Sequence, residues 1–299
     1  MKAATAKTAV GFRNILYATD FSTAAANAIP YVKRIAKHYE AKVVALHVHP
    51  PVVNPMTPPE TWAADVEAQE ARDQWHREDT ARTFTGIPVD VHIEEGGILE
   101  NVREAIEKNN IDLVVLGTRG RTGLGKIVLG SVAEEIFRTA TCPVLTVGPH
   151  ADAARGSDGQ VREILYATDF SSESKTAAEY AASMAQEFQA RLVLLHVVPK
   201  MEPNDLVMDT DVVQSAKKLL QGLVPDEAKA WAKTEYYVEQ GNPAEKILEM
   251  AELRDSDIIV LGVKPEQGVP GAATHLPIAT VHKVVSHATC PVLTVRSEK

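Results

Sequence analysis

Two cysteines in 299 residues leave no framework of disulfides. They stand at 142 and 290, each inside the string ATCPVLTV, so their spacing repeats a segment instead of matching a metal or disulfide pattern; both are expected as buried thiols. No run of about 18 apolar residues is present to cross a bilayer. The opening MKAATAKTAVGFRN has no apolar stretch of signal-peptide length, so a cytoplasmic protein with no membrane partner is the expectation. Basic charge is also short, with 31 Lys and Arg against 40 Asp and Glu and a formal net charge of −9. That balance denies the chain the broad basic face of a general nucleic-acid binder, although a local basic loop stays compatible with it. Glycine and proline, 17 of each, are too few for a collagenous or low-complexity chain, and 45% hydrophobic with 24% charged residues is the composition of a globular protein.

What the chain does contain is a copy of itself. ILYATDFS occurs at 15–22 and again unchanged at 164–171, and the landmarks that follow recur in order. LHV stands at 46–48 and 195–197, VLG at 115–117 and 260–262, and ATCPVLTV at 140–147 and 288–295. Two domains of ordinary size are expected, 1–149 and 161–299. The turn-rich stretch 150–160 between them reads as a linker. Short β-branched runs alternate with longer helical patterns, the signature of parallel strands joined by crossover helices. Strands are predicted near 13–19, 42–48, 88–94, 112–117 and 143–147, and near 162–168, 191–197, 234–239, 257–262 and 292–295. Helices are predicted over 23–40, 60–84, 98–109 and 130–140. The helix at 60–84 reads as an amphipathic surface helix with Trp62 and Trp75 packed on the core, a partner face being the alternative for both. Runs such as VVALHV and LVLLHV are apolar on both faces, as strands covered on both sides must be.

Ligands of open parallel sheets collect at the carboxyl ends of strands, which directs attention to Ala18-Thr19-Asp20, His47-Val48 and Leu116-Gly117. After Gly117 comes GTRGRTGLGKIVLGSVAEEIF, with Gly117, Gly120, Gly123, Gly125 and Gly130 inside fourteen residues. Glycines allow close backbone approach and turn N–H groups toward an anion. Gly130-Ser131 would open the next helix, where unpaired N–H groups and the helix dipole favour negative charge. Arg119, Arg121 and Lys126 add positive charge. On glycine content alone the stretch reads equally well as a surface turn. Asp20 likewise reads either as a ligand contact or as a cap of the helix that follows it.

The spacing Gly117-x2-Gly120-x9-Gly130-Ser131 resembles the ATP-binding signature of the universal stress protein family. YATDFS, the Leu-His-Val strand end and the closing Pro-Val-Leu-Thr-Val resemble that family as well, over both halves of the chain. The resemblance implies two tandem Rossmann-like α/β units, each an open-twisted five-stranded parallel sheet of order 3-2-1-4-5 with helices on both faces. It implies that ATP, ADP or AMP is held by Ala18, Thr19, Asp20, Val48, Gly117, Arg119, Gly120, Gly130, Ser131 and Val132. Asp20 would meet the adenosine and the Val48 backbone the adenine. Mg²⁺ held through water by Asp20, with slow ATP hydrolysis, is the companion reading; placement of Asp20 toward adenosine argues against it. The family's strand pairing further implies that the two PVLTV edges pair as an internal pseudo-dimer, and it leaves a homodimer of whole chains open.

The second copy keeps Asp169, Val197 and Gly262, a possible second site, but departs from the motif afterwards. Pro265 stands where the second glycine belongs and has no N–H to give, and Ile278-Ala279 stand where Gly130-Ser131 do, although a one-residue shift would bring Ala279-Thr280 into register and Gly268 and Gly271 could still offer backbone donors. Nucleotide is therefore expected mainly in the first half, with the second serving as structural partner or as a site for something else. His275, His282 and His287 fall close together, but no ligand spacing joins them to a Cys or carboxylate, so no metal is expected. No nucleophile, triad or paired-carboxylate signature stands out, so a regulatory nucleotide-binding module is favoured over an enzyme or a purely structural protein.

Overall fold

The computed structural model describes residues 10–51, 59–118, 130–152, 160–199, 210–224, 233–263 and 278–296. The first half runs β1 (Asn14–Ala18), α1 (Thr23–Ala26), α2 (Ile29–Tyr39), β2 (Lys42–His49), α3 (Pro59–Thr83), β3 (Val89–Glu95), α4 (Ile98–Lys108), β4 (Leu113–Gly117), α5 (Ser131–Thr139) and β5 (Val144–Val147). The second runs β6 (Glu163–Thr168), α6 (Ser172–Glu187), β7 (Arg191–Val198), α7 (Thr210–Leu223), β8 (Thr234–Gln240), α8 (Pro243–Leu253), β9 (Ile258–Gly262), α9 (Ile278–His287) and β10 (Val292–Val295). The helix predicted over 23–40 is broken between α1 and α2. Pro30 explains the break: it sits in the first turn of α2, where a missing N–H costs nothing, whereas inside one long helix it would remove a bond and clash. Glu179 occupies the equivalent position in the second half, and α6 runs unbroken.

Each half is a parallel five-stranded sheet, in the order β3-β2-β1-β4-β5 and its repeat β8-β7-β6-β9-β10. The strands that read as apolar on both faces are covered on both. One core layer lies against α2 and α6 and includes Tyr31, Val32, Ile35, Ala181 and Met184. The opposite layer lies against α4, α5, α8 and α9 and includes Val102, Ile136, Ile247 and Val284. Both layers continue through both halves.

The halves are joined by their closing strands. β5 and β10 pair antiparallel, with Leu145 opposite Leu293, and merge the two sheets into one of ten strands. Thr146 Oγ1 donates to the Val292 carbonyl and Thr294 Oγ1 to the Val144 carbonyl, each at 3.1 Å, as a local two-fold would require. Pairing gives each apolar edge the partner that an exposed edge lacks. Away from the sheet, His38 stacks on Phe188 at 3.9 Å, the Val10 N–H donates to Ser183 Oγ, and the Tyr31 hydroxyl donates to the Asp152 carbonyl. The two units thus form an internal pseudo-dimer.

Candidate functional site

The repeated octapeptide folds the same way twice. Phe21 takes a left-handed φ of 59° and Phe170 one of 63°, and the side chains on either side of each hold the turn. Thr19 Oγ1 accepts from the Phe21 N–H and Asp20 Oδ1 from the Ser22 N–H, both at 3.0 Å, and Ser22 Oγ caps α1 by accepting from the Ala25 N–H. In the second half Thr168, Asp169 and Ser171 do the same. The turn is tied to the neighbouring strand by His47 Nδ1, 2.8 Å from the Thr19 carbonyl, and by His196 Nδ1 at the same distance from the Thr168 carbonyl. Asp20 therefore has a definite structural task in this turn.

β4 ends at Gly117, where the backbone of α1 comes very close. A Cβ there would lie 2.8 Å from the Ala24 carbonyl oxygen and 3.1 Å from Ala25 Cα. This glycine is required by helix-on-strand packing whatever else it touches. Gly130 is different. It precedes α5 in ordinary extended backbone, φ −63° and ψ 140°, donates its N–H to the Thr118 carbonyl, and offers no side chain to cap the helix. α1, α6 and α8 are capped by Ser22, Ser171 and Asn242, whereas α2 and α4, which follow Ala28 and Gly97, have no side-chain cap. α5 starts with no side-chain cap, so its first-turn N–H groups and the positive end of its dipole are offered to whatever lies in front.

In front lies a cavity of about 200 Å³. Ala18, Thr19 and Asp20 line it from β1, Val48 from β2, Gly117 from β4, and Gly130, Ser131 and Val132 from the start of α5. These predicted residues thus come together from four separate stretches of chain. Arg119 and Gly120, with Arg121, Gly123, Gly125 and Lys126, lie outside the described residues. The sequence reading missed the contribution of α4: Val102 on one wall, and Ile98, which with Val132 makes an apolar lip, 40% and 37% exposed. The signal was present as an apolar residue at the very start of a helix, where nothing behind it needs covering.

Two further expectations are corrected. Trp75 is 56% exposed and does not pack on the core. The side of α3 turned toward the sheet is largely polar: Gln69 donates to Asp73 at 2.7 Å, His49 Nε2 lies 3.7 Å from Asp73 Oδ2, and His76 stacks flat on Phe21 at 3.8 Å. Trp75, next to His76 along the helix, is thereby turned outward. Cys290 is buried as expected, but Cys142 is only half-buried, its thiol nevertheless pushed up to about 12 by burial.

A second cavity, about 760 Å³, occupies the matching place in the second half. Asp169 and Val197 line it with Thr168 and His196, while Gly262 is buried and outside the lining. Pro265, Glu266 and His275 lie outside the described residues. Ala279, Thr280 and Lys283 line the cavity from α9, and Lys283 reaches Glu245 of α8 at 2.9 Å. His282 and His287 both lie on α9, and among the described residues no three His, Cys, Asp or Glu side chains are grouped to hold a metal ion. Among them, too, no helix is long and apolar enough to cross a membrane.

Comparison with known proteins agrees with this geometry. The sequence model of the Universal stress protein family matches residues 11–148 and 160–296, and the chain belongs to that family as a tandem of two units. A universal stress protein of Methanocaldococcus jannaschii, MJ0531, is 32% identical over 139 residues, 46% of this chain and 82% of its own. One of Mycolicibacterium smegmatis is 25% identical over 295 residues and spans 94% of this chain and 96% of its own. Among solved structures, a universal stress protein of Archaeoglobus fulgidus superposes with a TM-score of 0.70 at 19% identity, covering 95% of this chain and 98% of its own, a likeness of fold.

Proposed function

We propose that the first half binds an adenine nucleotide, ATP foremost, and that the protein is a nucleotide-dependent regulatory module of the stress-response type. The observation that carries this is the start of α5: it follows a glycine, has no side-chain cap, and opens with Ser131 and Val132 onto the first cavity, which the ends of β1, β2 and β4 also line. The residues fit the group. First-turn N–H groups and the Ser131 hydroxyl suit phosphate oxygens. The apolar walls at Leu46, Val102 and Ile136 and the lip at Ile98 and Val132 suit a base. Asp20, a carboxylate in the cavity lining, suits the ribose hydroxyls. Arg119 and Gly120 complete the reading through the family motif, and the Val48 backbone is assigned to the adenine by the same resemblance.

The test is to purify the protein without added nucleotide, denature it, and quantify released small molecules by chromatography and mass spectrometry. Gly130→Val and Gly262→Val variants run alongside. About one adenine nucleotide per chain, lost in Gly130→Val and kept in Gly262→Val, is the expected result. No nucleotide in any sample, and none taken up when ATP is added, would reduce the motif to a structural remnant.

A further inference from the structure

On the outer surface of the first half, α4 and α5 leave an open groove of about 490 Å³ between them. Its floor is apolar, with Ile106 and Ile136 buried at its base. Leu99 borders it from the first turn of α4 and is 39% exposed, so most of what it could bury on this protein it leaves in water. The rim is acidic: Glu100, Glu107 and Glu135 stand there against one guanidinium, that of Arg103.

The second half shows what closes such a groove. Aligned on ATCPVLTV, Glu135 of α5 corresponds to Lys283 of α9. Glu100 of α4 corresponds to Glu245 of α8, each three residues beyond the position that precedes its helix, Gly97 and Asn242. Both glutamates stand in a first turn, where the helix dipole favours an acid. In the second half Lys283 Nζ reaches Glu245 at 2.9 Å and ties α9 to α8. In the first half the same two positions hold two carboxylates, which repel each other. Two other cations of these helices, Lys108 and Arg138, are matched along their own helices with Glu104 and Glu134. The apolar residue differs as well, because the counterpart of exposed Leu99 is Ala244, which is buried.

The first-half groove therefore asks for a cation between its two helices and for apolar side chains beside it. The acidic rim turns away polyanions, so neither nucleic acid nor an anionic membrane suits it. A second copy of this chain, itself of net charge −9, is a poorer complement than a basic partner. A helix with an apolar stripe and Lys or Arg at its margin meets both demands and packs between two helices in the ordinary way.

We propose that the groove between α4 and α5 docks a basic amphipathic helix of a partner protein. Its lysine or arginine stands between Glu100 and Glu135, as Lys283 stands beside Glu245 in the second half. The probe is a synthetic peptide of about 18 residues, long enough to form a helix, with Leu at i, i+3, i+4 and i+7 and Lys elsewhere; an analogue has Glu for each Lys. Fluorescence anisotropy of the labelled peptides is measured with the nucleotide-free full chain, so the result does not depend on the first cavity. The Lys peptide is expected to bind and the Glu peptide to remain free. Glu135→Lys, which gives Glu100 the partner that Glu245 has, and Leu99→Ser should each weaken binding about tenfold. Glu179→Lys makes the same charge change at an exposed position of α6, on the opposite face, and should alter binding less than about twofold. All three positions are exposed, and the variants should melt with the parent. The proposal is overturned if the Lys peptide does not bind, if Glu179→Lys weakens it as much as Glu135→Lys, or if Leu99→Ser leaves it unchanged. Sedimentation of the chain alone tests the other occupant: self-association abolished by Leu99→Ser would give the groove to a second copy and overturn the proposal too.

Discussion

Gly117→Ala tests whether the glycine at the end of β4 serves the fold or only the ligand. The added methyl carbon would sit 2.8 Å from the Ala24 carbonyl oxygen, about 0.6 Å short of ordinary van der Waals contact, and 3.1 Å from Ala25 Cα. Both are backbone atoms, so no side chain can swing away and α1 itself must move. Overpacking of this kind costs about 1–3 kcal/mol. Taking about 2 kcal/mol, the thermal midpoint should fall by about 4–8 °C for a unit of this size. Gly130→Ala is the control: its methyl would lie 3.2 Å from the Thr118 carbonyl oxygen at an ordinary φ, so its stability should stay within about 1 kcal/mol of the parent. Differential scanning calorimetry and urea unfolding of nucleotide-free protein measure both. Because α1 carries Ala25 of the cavity wall, Gly117→Ala should also weaken nucleotide binding. A Gly117→Ala protein that melts with the parent while losing nucleotide would refute the packing argument and return this glycine to the ligand.

Ser131→Ala removes an exposed hydroxyl with no structural partner in the described residues; nucleotide affinity should fall about tenfold by titration calorimetry with no change in melting temperature. Glu163 is 3% accessible and bonds Arg254 at 3.2 Å and Arg191 at 3.1 Å, with Ser256 donating to it at 3.2 Å. Glu163→Ala should cost about 1–3 kcal/mol in urea unfolding, since it leaves the buried Ser256 hydroxyl without its acceptor and Arg254 with only Glu235 as a carboxylate partner. The Cys142 thiol, held at about 12 against an ordinary value near 9, should react with a thiol reagent at pH 8 about a thousandfold more slowly in folded than in unfolded protein. Since the raised value favours the neutral thiol, its contribution to stability is complete below pH 8 and is withdrawn as pH rises above 9. Thr146→Val combined with Thr294→Val deletes both hydroxyl bonds across the β5–β10 seam and should lower stability by about 1–3 kcal/mol without separating the halves, which size-exclusion chromatography with calorimetry would check.

Much of this protein was legible as text, because its information is local and repeated. ILYATDFS fixes a strand, a left-handed Phe and a capped helix within eight residues, and a string that recurs unchanged folds unchanged. Apolar-through strands announce a sheet covered on both faces, and the glycine spacing marks the strand end and helix start that line the first cavity. Other features were decided only by packing. Whether Gly117 answers to a ligand or to α1 depends on how closely two backbones approach, which no neighbouring residue in sequence records. Trp75 lies outside because the polar face of α3 meets Phe21 and His49 across the fold, and a helix pattern read in isolation cannot see what it will face. Ile98 and Val102 join the cavity because a parallel sheet brings α4 beside α5. Sequence determines what each segment can form by itself; contacts between distant segments, whose free energy depends on shape and distance, determine which of those residues share a site.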